Sequence, residues 1–412
     1  MTFQTTADKF NSYIFRFVVA LFPYIFLADA MYEFNILGSS FYFILMLFLL
    51  FLLFVVNLIR DNLCSLNITL LMVFVFVFFL LVNLIIYDNN LAYLKDYRIG
   101  IGVVIYVYVV KAIIVNDIQK YLLGKIIIIN AIALSVFALA HHYFFDYIIV
   151  CVSNDVSGIP FLIDRSLNSH LSGMRECSFV FQPTVFAILV LMGMFINIFL
   201  STHVYKKIKW RSFILTILFL SAMLLSLSRL PIVFAILLTI IHFYKLIKYK
   251  EFFWVIVPTI FLIIILTSLD YGPLERLTRI QLGGVRYERY LVGLLTVFDN
   301  LTNVVIGTDR LLMTELRTPS GAKFTDNSFI YLMLFCGVIY SFVLIFYTII
   351  SLWSRVDITK SLYQLLLVLF IFFELLFTSF ILQDILLLYS FTTLILLGNY
   401  PRKKIIPKFN TE

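Results

Sequence analysis

The chain has 412 residues, 62% of them hydrophobic and 13% charged, with a mean hydropathy of +1.04 and a formal net charge of +8. That composition excludes a soluble globular domain, and apolar runs of about 17 to 25 residues, each able to cross roughly 30 Å of hydrocarbon as a helix, stand where a β-barrel would show strict alternation. The positive charge does not point to nucleic acid, because the lysines lie in short connectors between apolar runs, where membrane topology accounts for them.

The expected fold is all-α: a polytopic transmembrane helical bundle, one membrane domain over residues 1–412 with about twelve spans. The first apolar run, 12–28, follows a polar start and lacks a small-residue cleavage site, so it reads as a retained helix. A short acidic connector with Asp29 and Glu33 leads to runs at 37–59 and 65–87, and a loop near 88–98 precedes the run at 99–115. The fifth run, 124–145, carries His141 and His142 near its end; neither has a metal-ligand partner at helical spacing, and both read as core or interfacial histidines. A first large loop, 146–178, precedes the sixth run at 179–200. Runs seven to nine follow at 212–228, 230–247 and 252–269, and a second large loop, 270–326, leads to the last three at 327–351, 361–379 and 382–398. Loops this long, where other connectors are short, carry function more often than not.

An N-terminus on the cytoplasmic side puts Lys206, Lys207, Lys209 and Arg211, then Lys245, Lys248 and Lys250, then Arg402, Lys403, Lys404 and Lys408 on the inner side, with both termini cytoplasmic. Both large loops are then outer. The outer cations are nearly all arginine: Arg98, Arg165, Arg175, Arg229, Arg276, Arg279, Arg286, Arg289, Arg310 and Arg317, against Lys95 and Lys323. Topology needs only positive charge, whereas a guanidinium fork matches phosphate oxygens bidentately. An anionic ligand on the outer side is the simplest cause.

Four stretches carry candidate chemistry. "SGMRECSFVFQPTVFA", residues 172–187, sets Arg175 and Glu176 before an apolar run, with Pro183 a turn or two inside it and expected to bend the helix. Arg175 reads as an anion ligand and Glu176 as its orienting partner or a general base, or the two form an interfacial ion pair. "SLSRLPIVFA", residues 226–235, places Arg229 at a tight turn with Pro231 opening the next helix; Arg229 is an anion ligand helped by Ser226 and Ser228, or a headgroup anchor.

"ERLTRIQLGGVRYERYLVGLL", residues 275–295, holds two Arg-x-x-Arg pairs, Arg276 with Arg279 and Arg286 with Arg289, each on one helical face; Tyr290, Leu294 and Val297 give the second segment an apolar side suited to the membrane surface, with its arginines as anion ligands or as contacts of lipid headgroups. In "AKFTDNSFIYLMLFCGVIYSF", residues 322–342, Asp326 and Asn327 either cap the tenth span or present a carboxylate that orients or deprotonates an acceptor hydroxyl. Lys111, Glu374 and Asp384 lie in or beside spans, as a polar relay or, for Lys111, as a lysine that snorkels inward. Cys64, Cys151, Cys177 and Cys336 lack CxxC spacing; Cys151 and Cys177 share the outer side, as a pair or, the preferred reading, as separate apolar thiols.

In these stretches the chain resembles the O-antigen polymerase and O-antigen ligase superfamily of bacterial envelope glycosyltransferases. The resemblance rests on "MRECSFVFQPTVFA", "SLSRLPI", "GGVRYERYLVGLL" with the later "VVIGTD", and "TDNSFIYLMLFCGVIY", in that order, over roughly residues 170–345, and elsewhere on hydropathy alone. It implies a GT-C-like bundle in the bacterial inner membrane with an outward-facing site. It also implies Arg175, Arg229, Arg286 and Arg289, with Arg276 and Arg279 beside them, as ligands of an undecaprenyl-linked pyrophosphate. Ligases of this group carry His before the Asn of the last stretch; Asp326 stands here and favours a polymerase. The implied activity is glycosyl transfer without metal or cofactor, with Asp326 or Glu176 as base and Asn327 beside it. Its partners would be undecaprenyl-pyrophosphate-linked oligosaccharides, membrane lipids, a chain-length regulator and a flippase. A ligase is the near alternative, and a lipid-linked oligosaccharide flippase or other transporter the alternative of another class.

Overall fold

The computed structural model describes residues 2–24, 39–60, 67–86, 94–114, 117–144, 147–150, 161–164, 178–180, 182–204, 210–226, 228–244, 285–308, 327–353, 362–377 and 384–398. Its helices are α1 (Thr2–Leu21), α2 (Ser39–Arg60), α3 (Asn67–Ile86), α4 (Leu94–Ile113), α5 (Asp117–Phe144), α6 (Pro183–Phe199), α7 (Trp210–Ser226), α8 (Arg229–Tyr244), α9 (Val285–Phe298), α10 (Leu301–Ile306), α11 (Ser328–Trp353), α12 (Leu362–Phe377) and α13 (Asp384–Leu396). Eleven of the twelve expected apolar runs coincide with one of these helices, and the ninth, 252–269, lies outside the described residues.

Among the described residues, four helical stretches are long and apolar enough to cross a membrane: Ile68–Ile86, Ile118–Tyr143, Pro183–Thr202 and Ser328–Leu352, with hydropathies of 3.0, 2.3, 2.3 and 2.5. Helix is the form such runs must take, since hydrocarbon offers backbone N–H and C=O groups no other partner. Within the first large loop, β1 (Tyr147–Val150) pairs antiparallel with β2 (Phe161–Asp164), Tyr147 opposite Asp164.

The chain divides into two compact units, one of residues 1–15, 47–114 and 281–398, the other of 16–46, 115–280 and 399–412. In the second, α6 is the centre: every residue from Val185 to Phe199 is buried. Small residues let α5 approach it, Gly124 opposite Ile196 and Ala131 against Gly193. On its other flank Asn197 Nδ2 donates to the Ser212 carbonyl at 3.1 Å, joining α7. Helix α6 ends by widening into a π turn, Leu200–Val204.

Asn130 of α5 solves a problem set by proline. Pro23 has no N–H for the Val19 carbonyl, four residues back, so α1 stops at Leu21 and passes into a 3-10 turn at Phe22–Tyr24. Asn130 Nδ2 donates to the Val19 and Ala20 carbonyls at 3.1 and 3.2 Å, and its Oδ1 accepts from Tyr24 Oη at 3.2 Å.

Pro183 stands elsewhere than expected. It opens α6 at the first helical position, after Gln182 in extended conformation, so its missing N–H costs nothing and no bend follows. The preceding Ser178–Val180 forms a separate 3-10 turn, with Ser178 in the left-handed region (φ 51) and its hydroxyl donating to the Leu134 carbonyl at 2.9 Å.

In the first unit α11 is the spine, and it is broken: Gly337 has φ 79 and ψ 164 inside an otherwise helical run. Around the break Tyr340 Oη donates to the Gly100 carbonyl of α4 at 3.2 Å, and the rings of Phe76 and Phe79 from α3 lie 5.6 and 6.0 Å from that of Tyr340. Helices α9 and α10 fold back along α11, where Val297, Ile330 and Leu334 form a buried cluster with Tyr290, Met333 and Val338 against it. Helix α13 is buried along its whole length.

Candidate functional site

Of the residues singled out by sequence, Arg175, Glu176, Arg276, Arg279 and Asp326 lie outside the described residues. Arg286 and Arg289 occupy the first turns of α9, three positions apart and therefore on one helical face. Asn327 immediately precedes α11 in the same unit. Arg229 belongs to the other unit, exposed at the first position of α8.

The turn before Arg229 is built by the serines. Ser226 Oγ donates to the Met223 carbonyl at 2.6 Å and accepts from the Ser228 N–H at 3.2 Å, so one hydroxyl both closes α7 and shapes the corner. These described bonds belong to the turn itself. Pro231 sits two residues into α8, and the Ile232 N–H reaches the Ser228 carbonyl at 3.2 Å to start the helical ladder.

Asn327 does two things at once. Its Oδ1 accepts from the N–H groups of Phe329 and Ile330 at 2.9 and 3.0 Å, which are the orphan donors of a helix start, so the capping reading holds for this residue. Its Nδ2 donates to the Leu376 carbonyl at 2.9 Å. Leu376 lies in the last turn of α12, where carbonyls have no intrahelical partner.

The same oxygen accepts a second bond, from Tyr290 Oη at 3.2 Å. Tyr290 follows Arg289 directly in α9. Three elements thus meet at one atom: the arginine-bearing helix, the start of α11 and the end of α12. The sequence marks Tyr290 only as part of an apolar face; its hydroxyl bond, 86 residues away along the chain, leaves no trace in local pattern.

Two carboxylates are buried in the same unit. Glu374, fully buried, lies two residues before Leu376. Asp384, 5% exposed in the first turn of α13, accepts from Tyr106 Oη of α4 at 2.6 Å. A carboxylate in a helix first turn also meets the positive end of the helix dipole. Of the expected relay, the structure gives Asp384 a partner in Tyr106, and Lys111 lies half-buried in the last turn of α4. His141 is buried against Phe137, with ring centroids 5.9 Å apart. No group of three or more His, Cys, Asp and Glu side chains among the described residues is arranged to hold a metal.

The double role of Asn327 separates two substitutions. Asn327→Ala removes the cap and the tie together and lowers stability by about 1 to 3 kcal/mol. Asn327→Asp keeps the cap, which its charge strengthens, but exchanges the donor to Leu376 for an oxygen that faces the same carbonyl. Thermal unfolding in detergent should rank wild type, then Asp, then Ala; an Asp variant less stable than Ala means that repulsion between the new carboxylate and the Leu376 carbonyl outweighs the cap.

No family model matches the chain, and no curated protein matches it.

Proposed function

We propose that the chain is a glycosyltransferase that polymerises undecaprenyl-pyrophosphate-linked oligosaccharide repeat units on the outer face of a bacterial inner membrane. The bundle then has about twelve spans in a GT-C-like arrangement with both termini cytoplasmic. Supporting this are the order of the four motif stretches and the preference for arginine over lysine on one side. The observation that carries it is the Leu376 carbonyl, where the helix bearing Arg286 and Arg289 and the Asn327 start of α11 share one anchor. In this reading the tie keeps a phosphate-binding face beside an acceptor-binding mouth.

In this reading an acceptor hydroxyl attacks the anomeric carbon of the donor. Its proton passes to a carboxylate, for which Asp326 is the candidate next to Asn327. The anomeric carbon's bond to the pyrophosphate oxygen breaks with its electron pair on that oxygen, and fixed guanidinium groups of Arg286 and Arg289 stabilise the charge that develops there. One glycosidic bond forms and undecaprenyl pyrophosphate leaves.

A transporter of lipid-linked oligosaccharide is the second reading, and two observations favour it: the break of α11 at Gly337 and the buried carboxylates Asp384 and Glu374. Broken helices and buried ionisable groups are common in transporter cores. Deleting the gene separates the readings. A polymerase leaves single repeat units on the surface, a ligase leaves none there while polymer stays on the lipid carrier, and a flippase leaves repeat units on the inner leaflet. Either of the last two results overturns the polymerase.

A further inference from the structure

The break in α11 is met by the end of α10, which takes up one of its carbonyls. A residue with φ 79 and ψ 164 interrupts the ladder of i to i−4 bonds, and in apolar surroundings the carbonyls it releases need partners from another segment. The Thr308 N–H donates to the Leu334 carbonyl at 2.7 Å. On the α10 side the Ile306 carbonyl accepts from Asn83 Nδ2 of α3 at 3.0 Å. The α9–α10 corner is closed from within: Asn300 Oδ1 accepts from the Asn303 N–H at 2.7 Å, and Asn303 Nδ2 donates to the Thr296 carbonyl at 2.9 Å.

The two backbones touch through reciprocal glycines. Gly307 has φ 89, and a Cβ there would come within 2.7 Å of the Phe335 carbonyl oxygen and 2.8 Å of that of Leu334. Gly337, at φ 79, faces back: a Cβ there would stand 2.6 Å from the Val305 carbonyl carbon and 2.9 Å from the Ile306 nitrogen. Each glycine is needed both for its backbone conformation and for the space its missing side chain leaves. A side chain at either position must push the segments apart, since what it meets is backbone.

The other end of this arm is the bond from Tyr290 to Leu376, which Asn327 shares. The arm is therefore fixed at two places, to the end of α12 beside the Asn327 start of α11 and to α11 itself at a break about 15 Å further along, with Val297 packed between on Ile330 and Leu334. We propose that the Gly307–Gly337 seat, with Asn83 behind it, is a positioning element that fixes the α9–α10 arm in register along α11 and so sets where Arg286 and Arg289 stand relative to Asn327. Its consequence for glycan transfer rests on the polymerase reading; the seat itself does not.

The test uses the full-length chain purified in detergent, with its four native cysteines replaced by Ala and one cysteine introduced by Arg289→Cys, or by Arg211→Cys at the exposed start of α7 as a control. The rate of reaction with a hydrophilic maleimide is measured in Gly307→Ala, Gly337→Ala and Asn83→Ala backgrounds. Asn83→Ala adds no bulk and guards against a glycine variant that fails to fold. The seat predicts a several-fold change at 289 in both glycine variants, a smaller change in the same direction for Asn83→Ala, and an unchanged rate at 211. An unchanged rate at 289 in all three, or equal changes at 289 and 211, overturns it. With Arg289 intact, the glycine variants should also make polymer less well by on the order of tenfold to a hundredfold at normal protein level. Wild-type polymer alongside altered labelling upholds the seat and overturns the polymerase assignment of the arginines.

Discussion

Gly193→Val lowers the melting temperature of the purified chain by roughly 3 to 4 °C, the shift that about 3 kcal/mol produces in a chain of 412 residues. A Cβ at Gly193 runs into the Cβ of Ala131 on α5, with the Ile127 carbonyl oxygen at 3.5 Å and the Ala131 Cα at 3.7 Å closing the rest of the space. Helix α6 has no direction in which to retreat, because it is buried on every side from Val185 to Phe199. Nor can α5 slide freely, since Asn130, beside Ala131, holds the Val19 and Ala20 carbonyls of α1. Extra methyl groups in so tight a contact force backbone shifts rather than a change of rotamer. Adding Ala131→Gly to the same chain should recover part of the loss, because the two side chains compete for one volume. A melting temperature equal to wild type shows that α5 and α6 do not approach closely at this point.

The sequence speaks clearly where lipid solubility alone decides the structure, and poorly where one segment answers another. Apolar runs locate helices to within a few residues because hydrocarbon leaves the backbone no alternative. Hydropathy still misses what lies outside the lipid: α1 begins at Thr2, ten residues before its apolar run, because the polar start continues the same helix. Pro183 is misplaced for a related reason. The apolar residues of Ser178–Val180 extend the run upstream, but they form a separate turn, so the helix starts at the proline itself.

Gly337 is invisible in an unbroken apolar stretch, since an isolated glycine is tolerated within a helix and only Gly307, thirty residues earlier, gives it a reason to leave helical geometry. The capping role of Asn327 is local and legible, whereas its tie to Leu376 is not. The bonds from Tyr290 to Leu376 and from Tyr106 to Asp384 join residues 86 and 278 positions apart, and a single sequence holds no signal for such pairs.

On the polymerase reading, Arg289→Lys reduces polymer by about a hundredfold while leaving the protein in the membrane at its normal level. Lysine keeps the charge, so any role in topology or in anchoring to anionic headgroups survives the change. What it loses is the planar fork that meets two phosphate oxygens at once, and removing one preorganised donor from a site of developing negative charge costs about 10² to 10³ in rate. Arg286, one helical turn away on the same face of α9, should show the same sensitivity, and the double Lys variant should fall further only if the two guanidinium groups hold different oxygens. Tyr290→Phe provides the complementary case: it leaves both arginines in place and removes only the bond from α9 to the Leu376 carbonyl at the end of α12. Polymer should then fall less than in Arg289→Lys, because the second attachment at Gly307 and Gly337 remains. The measurement is the ladder of glycan lengths on the cell surface at matched protein abundance. Wild-type ladders from both lysine variants make these arginines lipid contacts and remove α9 from the catalytic proposal.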